Sequence, residues 1–163
     1  MSGSERERMT WDDLGQAVQQ LAAQIEADGY TPDAVLALAR GGLPLAGALA
    51  YALGVKNMAT LNVEFYTGVD ERLKEPLLLP PVPDLALLRA NRLLVVDDVA
   101  DTGRTLALAS EFCAQHGLDV RTAVLYEKPR SVVRSDYVWR RTERWIEFPW
   151  SAPAPVSTGA ASP

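Results

Sequence analysis

Leu14, Ala17, Val18, Leu21, Ala22 and Ile25 recur at spacings of three and four between Thr10 and Gly29. That period predicts an amphipathic helix with a capping residue at its start, a glycine stop and one buried stripe. Residues 34–39 are continuously apolar and run into Arg40, Gly41 and Gly42. This is the pattern of a strand buried on both faces that opens into a glycine-rich turn. A helix of small residues follows over roughly 44–53, closed by Gly54. Residues 58–65 alternate well enough to form a second strand.

Periodicity then fails. Over residues 66–83, Gly68, Pro76, Pro80, Pro81 and Pro83 are mixed with charged side chains, which predicts a long mobile loop of the kind that serves as a lid or binding element. Tyr66, Thr67, Arg72 and Lys74 are its natural ligand contacts. Residues 92–96 read as a buried strand, 97–105 as a polar turn, 106–116 as a helix closed by Gly117, and 120–126 as another strand. Strands alternating with helices predict an α/β fold, a central mostly parallel sheet with helices on both faces. Past Lys128 the pattern is shorter and aromatic, and the Pro-, Ala- and Ser-rich residues 151–163 are expected to be a disordered tail behind a single domain of residues 1–150.

Composition narrows the function classes. The 163 residues carry 16 Lys plus Arg against 21 Asp plus Glu, a net charge of −5, with no basic stripe to hold a nucleic-acid backbone. Cys113 and His116 are the only residues of their types, which excludes an internal disulfide and any cysteine or multi-histidine metal site. Both read as structural. The apolar stretch 41–55 is too short to span a bilayer and contains Pro44, and the charged first residues lack the apolar core of a signal peptide, so a cytoplasmic protein is expected.

The chemistry concentrates in 93–105, Leu-Leu-Val-Val-Asp-Asp-Val-Ala-Asp-Thr-Gly-Arg-Thr. Ligands of open parallel sheets bind beyond the carboxyl ends of the strands, where this turn lies. Thr102, Gly103, Arg104 and Thr105 lead into a helix whose free amides and positive dipole end suit a phosphate. Asp97 and Asp98 would repel a bare phosphate and make sense facing sugar hydroxyls or a hard cation. A Walker B strand would need a GxxxxGK[ST] loop, and a dinucleotide fold a GxGxxG turn; the chain has neither. An acidic helix cap at Asp101 would account for one carboxylate, not for three with two threonines.

This segment resembles the ribose-phosphate signature of the type I phosphoribosyltransferases, which use 5-phosphoribosyl-1-pyrophosphate (PRPP) with magnesium. Residues 39–42 resemble that family's pyrophosphate loop, 66–83 sit where it carries its lid, and the likeness spans about 34–150. Glu127-Lys128-Pro129 and the ending Trp145-Ile146-Glu147-Phe148-Pro149-Trp150 are similar to the xanthine-guanine subfamily, with a small C-terminal hood over about 127–150.

The resemblance implies a set of roles. Asp101 to Thr105 anchor the 5-phosphate, Arg40, Gly41 and Gly42 hold the pyrophosphate, and Asp97 and Asp98 take the ribose hydroxyls and magnesium. Lys128 donates to the purine 6-oxo group, Trp145 stacks on the ring, the Ile146 backbone meets its edge, and Asp101 accepts from the imidazole side. A lysine ammonium only donates, so it favours a 6-oxo over a 6-amino purine. Enterobacterial members carry aspartate after the Pro-Trp pair where this chain has Ser151, which leaves guanine, xanthine and hypoxanthine all open. The resemblance also implies a homodimer or homotetramer, with Trp11, Trp139 and Trp150 as interface candidates, and a cis or strained peptide falling between Ala39 and Arg40. The competing readings are a non-catalytic PRPP or nucleotide sensor and a phosphoribosyltransferase for another base.

Overall fold

The computed structural model describes residues 5–65, 76–154 and 156. Helix α1 (Trp11–Ala27) starts where the sequence places it, because the Thr10 hydroxyl accepts from the Asp13 amide at 3.1 Å while the Asp13 carboxylate accepts from the Thr10 amide at 2.8 Å. Strand β2 (Ala34–Ala39) and helix α2 (Leu43–Leu53) follow, and Gly54 ends α2 at φ 68°. Then come β3 (Met58–Phe65), β4 (Pro76–Leu79), β5 (Arg92–Ala100), α3 (Arg104–Gln115) and β6 (Asp119–Glu127), with β7 (Tyr137–Arg141) and β8 (Trp145–Glu147) in the C-terminal part. The order in the six-stranded sheet is β4-β3-β2-β5-β6-β7, parallel throughout except for the β3–β4 pair.

Period-two alternation divides the core. Val35, Ala37, Leu94 and Val96 face the cluster built by α1 and α2, whereas Leu36, Leu38, Leu93 and Val95 face Leu106, Ala109 and Cys113 of α3. Both faces of the central strands are therefore covered, which is why their sequences read as unbroken apolar runs. Burial pushes the Cys113 thiol up to about 11, and His116 Nδ1 lies 2.8 Å from the Phe112 carbonyl, in keeping with structural roles.

The structure differs from the expectations at several points. Residues 66–83 are not one loop: β4 adds Leu78 to the α3-side core as an edge strand that opens on Pro76, a position where proline costs no ladder bond. Tyr66, Thr67, Arg72 and Lys74 lie outside the described residues. β5 does not stop at Val96 but continues through Asp97 and Asp98 to Ala100, paired with β6 as far as Glu127, and α3 starts two residues before the expected position. An additional strand, β1 (Arg6–Arg8), pairs in parallel with β8 and ties the N-terminus to the hood. The expected tail begins with a turn, in which the Ser151 and Ala152 amides donate to the Phe148 carbonyl at 3.1 and 2.9 Å. Trp150 stacks on Phe148 with centroids 4.8 Å apart, and Trp139 packs edge-on to Tyr126 and donates to Gln20 at 2.9 Å. Both tryptophans thus pack within the chain, while Trp11 stays 58% exposed. No helix among the described residues is long and apolar enough to cross a membrane.

Candidate active site

Two neighbouring aspartates, Asp97 and Asp98, stand near the carboxyl end of β5 (Arg92–Ala100). Asp97 lines a cavity beside Thr105 and Leu106 of α3, and the Asp98 carboxylate stands against Gly41, just before α2. Asp97 Oδ1 accepts from the Asp98 amide and Asp98 Oδ1 from the Val99 amide, both at 2.8 Å, so each carboxylate is tied to the backbone that follows it. Burial pushes Asp97 well above the ordinary carboxylate range, with the charge of Asp98 adding to it, and burial also raises Asp98. A cation beside them would favour their charged forms.

Asp97 lines a cavity of 160 Å³ with Val99, Asp101, Thr102, Gly103 and Thr105, at the N-terminus of α3. The cap residue Gly103 has no side chain to offer; the Arg104 amide donates weakly to the Thr102 hydroxyl at 3.4 Å, and the amides that follow it are left for a ligand. Gly103 sits at φ 76°, and a Cβ there would collide with the Ser131 hydroxyl and come within 2.9 Å of Val133, so only glycine fits. At the other end of the site the Ala39–Arg40 peptide is cis. A Cβ on Gly41 would overlap the Asp98 carboxylate. The absence of a side chain at Gly41 is thus what lets Asp98 stand against this loop. The Gly42 amide donates to the Leu38 carbonyl at 2.9 Å and is already used. Arg40 and Arg104 are exposed and have no carboxylate partner among the described residues.

The hood rests on the same turn. The Lys128 amide donates to the Ala100 carbonyl at 3.0 Å and the Val132 amide to the Thr102 carbonyl at 2.8 Å. Lys128 is buried, with Nζ 5.8 Å from the centroid of the Trp145 ring, which is 64% exposed and free to stack. Lys128, Pro129, Arg130 and Glu143 line a cavity of 300 Å³. Ile146 is buried on β8 beside Trp145.

Two residues that sequence reasoning missed organise this region. Arg130 donates from Nε and Nη2 to the two oxygens of Asp101 at 2.7 and 2.6 Å. No local pattern announces a pair 29 positions apart. Glu127, fully buried, accepts from the Ser135 amide at 2.7 Å and from Arg141 Nε at 3.2 Å, pinning the hood immediately before Lys128. Burial alone would raise its carboxyl, but the Ser135 amide and Arg141 outweigh burial and hold it below the ordinary 4.5. A depressed folded value contributes stability that is complete above 4.5 and is lost as pH falls through the folded value. Glu127→Gln is therefore expected to cost about 1–3 kcal/mol near neutrality, with the wild-type advantage shrinking below pH 4.5, as read from denaturant unfolding at a series of pH values.

Comparison with known proteins shows the family. The profile of the phosphoribosyl transferase domain matches residues 10–156, which takes in α1 and extends the likeness beyond the span expected from sequence. The purine phosphoribosyltransferase of Pyrococcus horikoshii OT3 is 37% identical, with a TM-score of 0.80 over 93% of this chain and 97% of that one. A xanthine-guanine phosphoribosyltransferase of Ruegeria sp. strain TM1040 is 29% identical over 87% of this chain and 83% of its own length. A hypothetical protein from Neisseria gonorrhoeae, solved with bound ppGpp, is 25% identical with a TM-score of 0.79, covering 93% and 92%. The chain belongs to the phosphoribosyl transferase domain family, as a type I phosphoribosyltransferase, a pentosyltransferase.

Proposed function

We propose that the chain transfers the 5-phosphoribosyl group of PRPP to a 6-oxopurine (guanine, xanthine or hypoxanthine), giving the nucleoside monophosphate and pyrophosphate. One observation carries this reading: a buried lysine and an exposed tryptophan face sit on the loop and strand that cover an acidic turn running into an uncapped helix. The names of the Pyrococcus and Ruegeria relatives support the purine class.

The bond from the anomeric carbon to the pyrophosphate oxygen breaks, and a bond from that carbon to a purine ring nitrogen forms. The ring proton goes to Asp101, whose two oxygens make it an acceptor only. The 5-phosphate takes the amides and hydroxyls of the turn from Asp101 to Thr105. Arg40 and the Gly41 amide meet the pyrophosphate, and the engaged Gly42 amide shapes the loop rather than binding. Lys128 donates to the 6-oxo group, Trp145 stacks, and the Ile146 backbone lies at the ring edge.

Magnesium fits the donor set. Among the described residues no three His, Cys, Asp or Glu side chains converge, so there is no all-protein cage. Magnesium accepts a few protein oxygens completed by substrate oxygens and water, and Asp97 and Asp98 are the residues that would hold it. When bound, the ion neutralises charge on the departing pyrophosphate.

The neisserial neighbour holding ppGpp favours a second reading, a nucleotide sensor without turnover. Formation of GMP, XMP or IMP from PRPP and the free base, followed by chromatography, separates the two: a product peak supports the transferase, and binding without product supports the sensor.

A further inference from the structure

We propose that Arg130 is a positioning residue for the transfer reaction, acting through Asp101. The inference rests on the reading of Asp101 as the group that faces the purine imidazole. Arg130 meets Asp101 as a fork, Nε on one oxygen at 2.7 Å and Nη2 on the other at 2.6 Å. Such a bidentate pair fixes the plane of the carboxylate as well as its charge. The side chains are 65% and 41% exposed, so the pair adds little to stability, and geometry is what it supplies.

A carboxylate offers about four lone-pair sites, and the fork takes two of them. The others remain for a purine N–H. The backbone that carries Arg130 is anchored on both sides to the turn that carries Asp101, through Lys128 N–H to the Ala100 carbonyl and Val132 N–H to the Thr102 carbonyl. Ser131 closes the loop internally, its amide donating to the Lys128 carbonyl at 3.0 Å. Lys128 and Arg130 flank Pro129 and line one cavity. A single tethered loop thus sets both the donor for the 6-oxo edge and the orientation of the acceptor for the imidazole edge. Arginine here ties base recognition to base activation, a coupling that lysine, with its single point of charge, would hold less well.

The test is a double-mutant cycle on kcat and on the KM values for PRPP and guanine, using Arg130→Met, Asp101→Asn and both together. Arg130→Met is expected to lower kcat about tenfold while the KM for PRPP stays within about twofold, because a displaced catalytic group costs rate rather than phosphate binding. Arg130→Lys recovers part of the loss. In the Asp101→Asn background, Arg130→Met has no further effect, and the Arg130 Nε–H resonance in the wild-type 1H–15N spectrum moves when Asp101 is replaced. Equal losses in both backgrounds, an unchanged kcat, or a gain in rate on removing Arg130 would each overturn the proposal. A full rate in Asp101→Asn alone would remove the reading of Asp101 itself, and Arg130's role with it, an outcome distinct from failure of the cycle.

Discussion

Asp101→Asn is expected to reduce nucleotide formation by a factor on the order of 10²–10⁴, the range over which a positioned acid or base contributes. The substitution keeps the size of the side chain, and the backbone that would bind the phosphate is undisturbed. What it removes is the negative charge and the acceptor character of one oxygen, at the place where the purine would lose its proton in the proposed reaction. PRPP affinity by calorimetry should stay within about twofold, because the amides of the α3 N-terminus do not depend on the carboxylate. The thermal midpoint should also hold, since the Arg130 pair is exposed and such pairs contribute little to stability. A large drop in PRPP affinity would reassign Asp101 to the phosphate site, and an unchanged kcat would end its proposed role.

Lys128→Met should lower kcat/KM for guanine and hypoxanthine by about 10²-fold and shrink their advantage over adenine. Methionine nearly matches the volume, so packing is retained, while the buried cation in the cavity of Lys128, Pro129, Arg130 and Glu143, the proposed base site, is lost. A site built to donate to an oxo group discriminates strongly because the mismatched partner leaves a buried polar group unpaired. On the proposed reading the wild-type ammonium would make adenine, with its 6-amino donor, the mismatched base. Removing the ammonium penalises the 6-oxopurines and relieves adenine together. The readout is the ratio of kcat/KM between guanine and adenine, which should fall, with KM for PRPP steady. A uniform loss across all bases would mean that Lys128 supports the hood and does not read the purine.

Most of the central fold was legible in sequence because its signals are local. The unbroken apolar run of β2, the spaced stripe of α1 and the stops at Gly54 and Gly117 depend on near neighbours alone. The elements that escaped depend on distant partners. β1 and β8 have three residues each and exist through their pairing with one another. β5 extends through two aspartates, residues depleted from strands, because Val99 and Ala100 pair with Tyr126 and Glu127 and each aspartate accepts the next amide. β4 was hidden by its flanking prolines, although Leu77, Leu78 and Leu79 are an apolar run. Asp97, Asp98 and the turn to Thr105 declared themselves by an unusual density of carboxylates and hydroxyls. Arg130 carried no such mark, since one arginine in an arginine-rich hood gains its meaning only when the fold sets it against Asp101.

The decisive assay is release of pyrophosphate from PRPP and magnesium, with guanine, xanthine, hypoxanthine, adenine, uracil and orotate supplied one at a time. Turnover is expected with one or more of the three 6-oxopurines and little with adenine or the pyrimidines. Turnover confined to adenine, uracil or orotate, or PRPP binding with no turnover on any base, would contradict the proposed function.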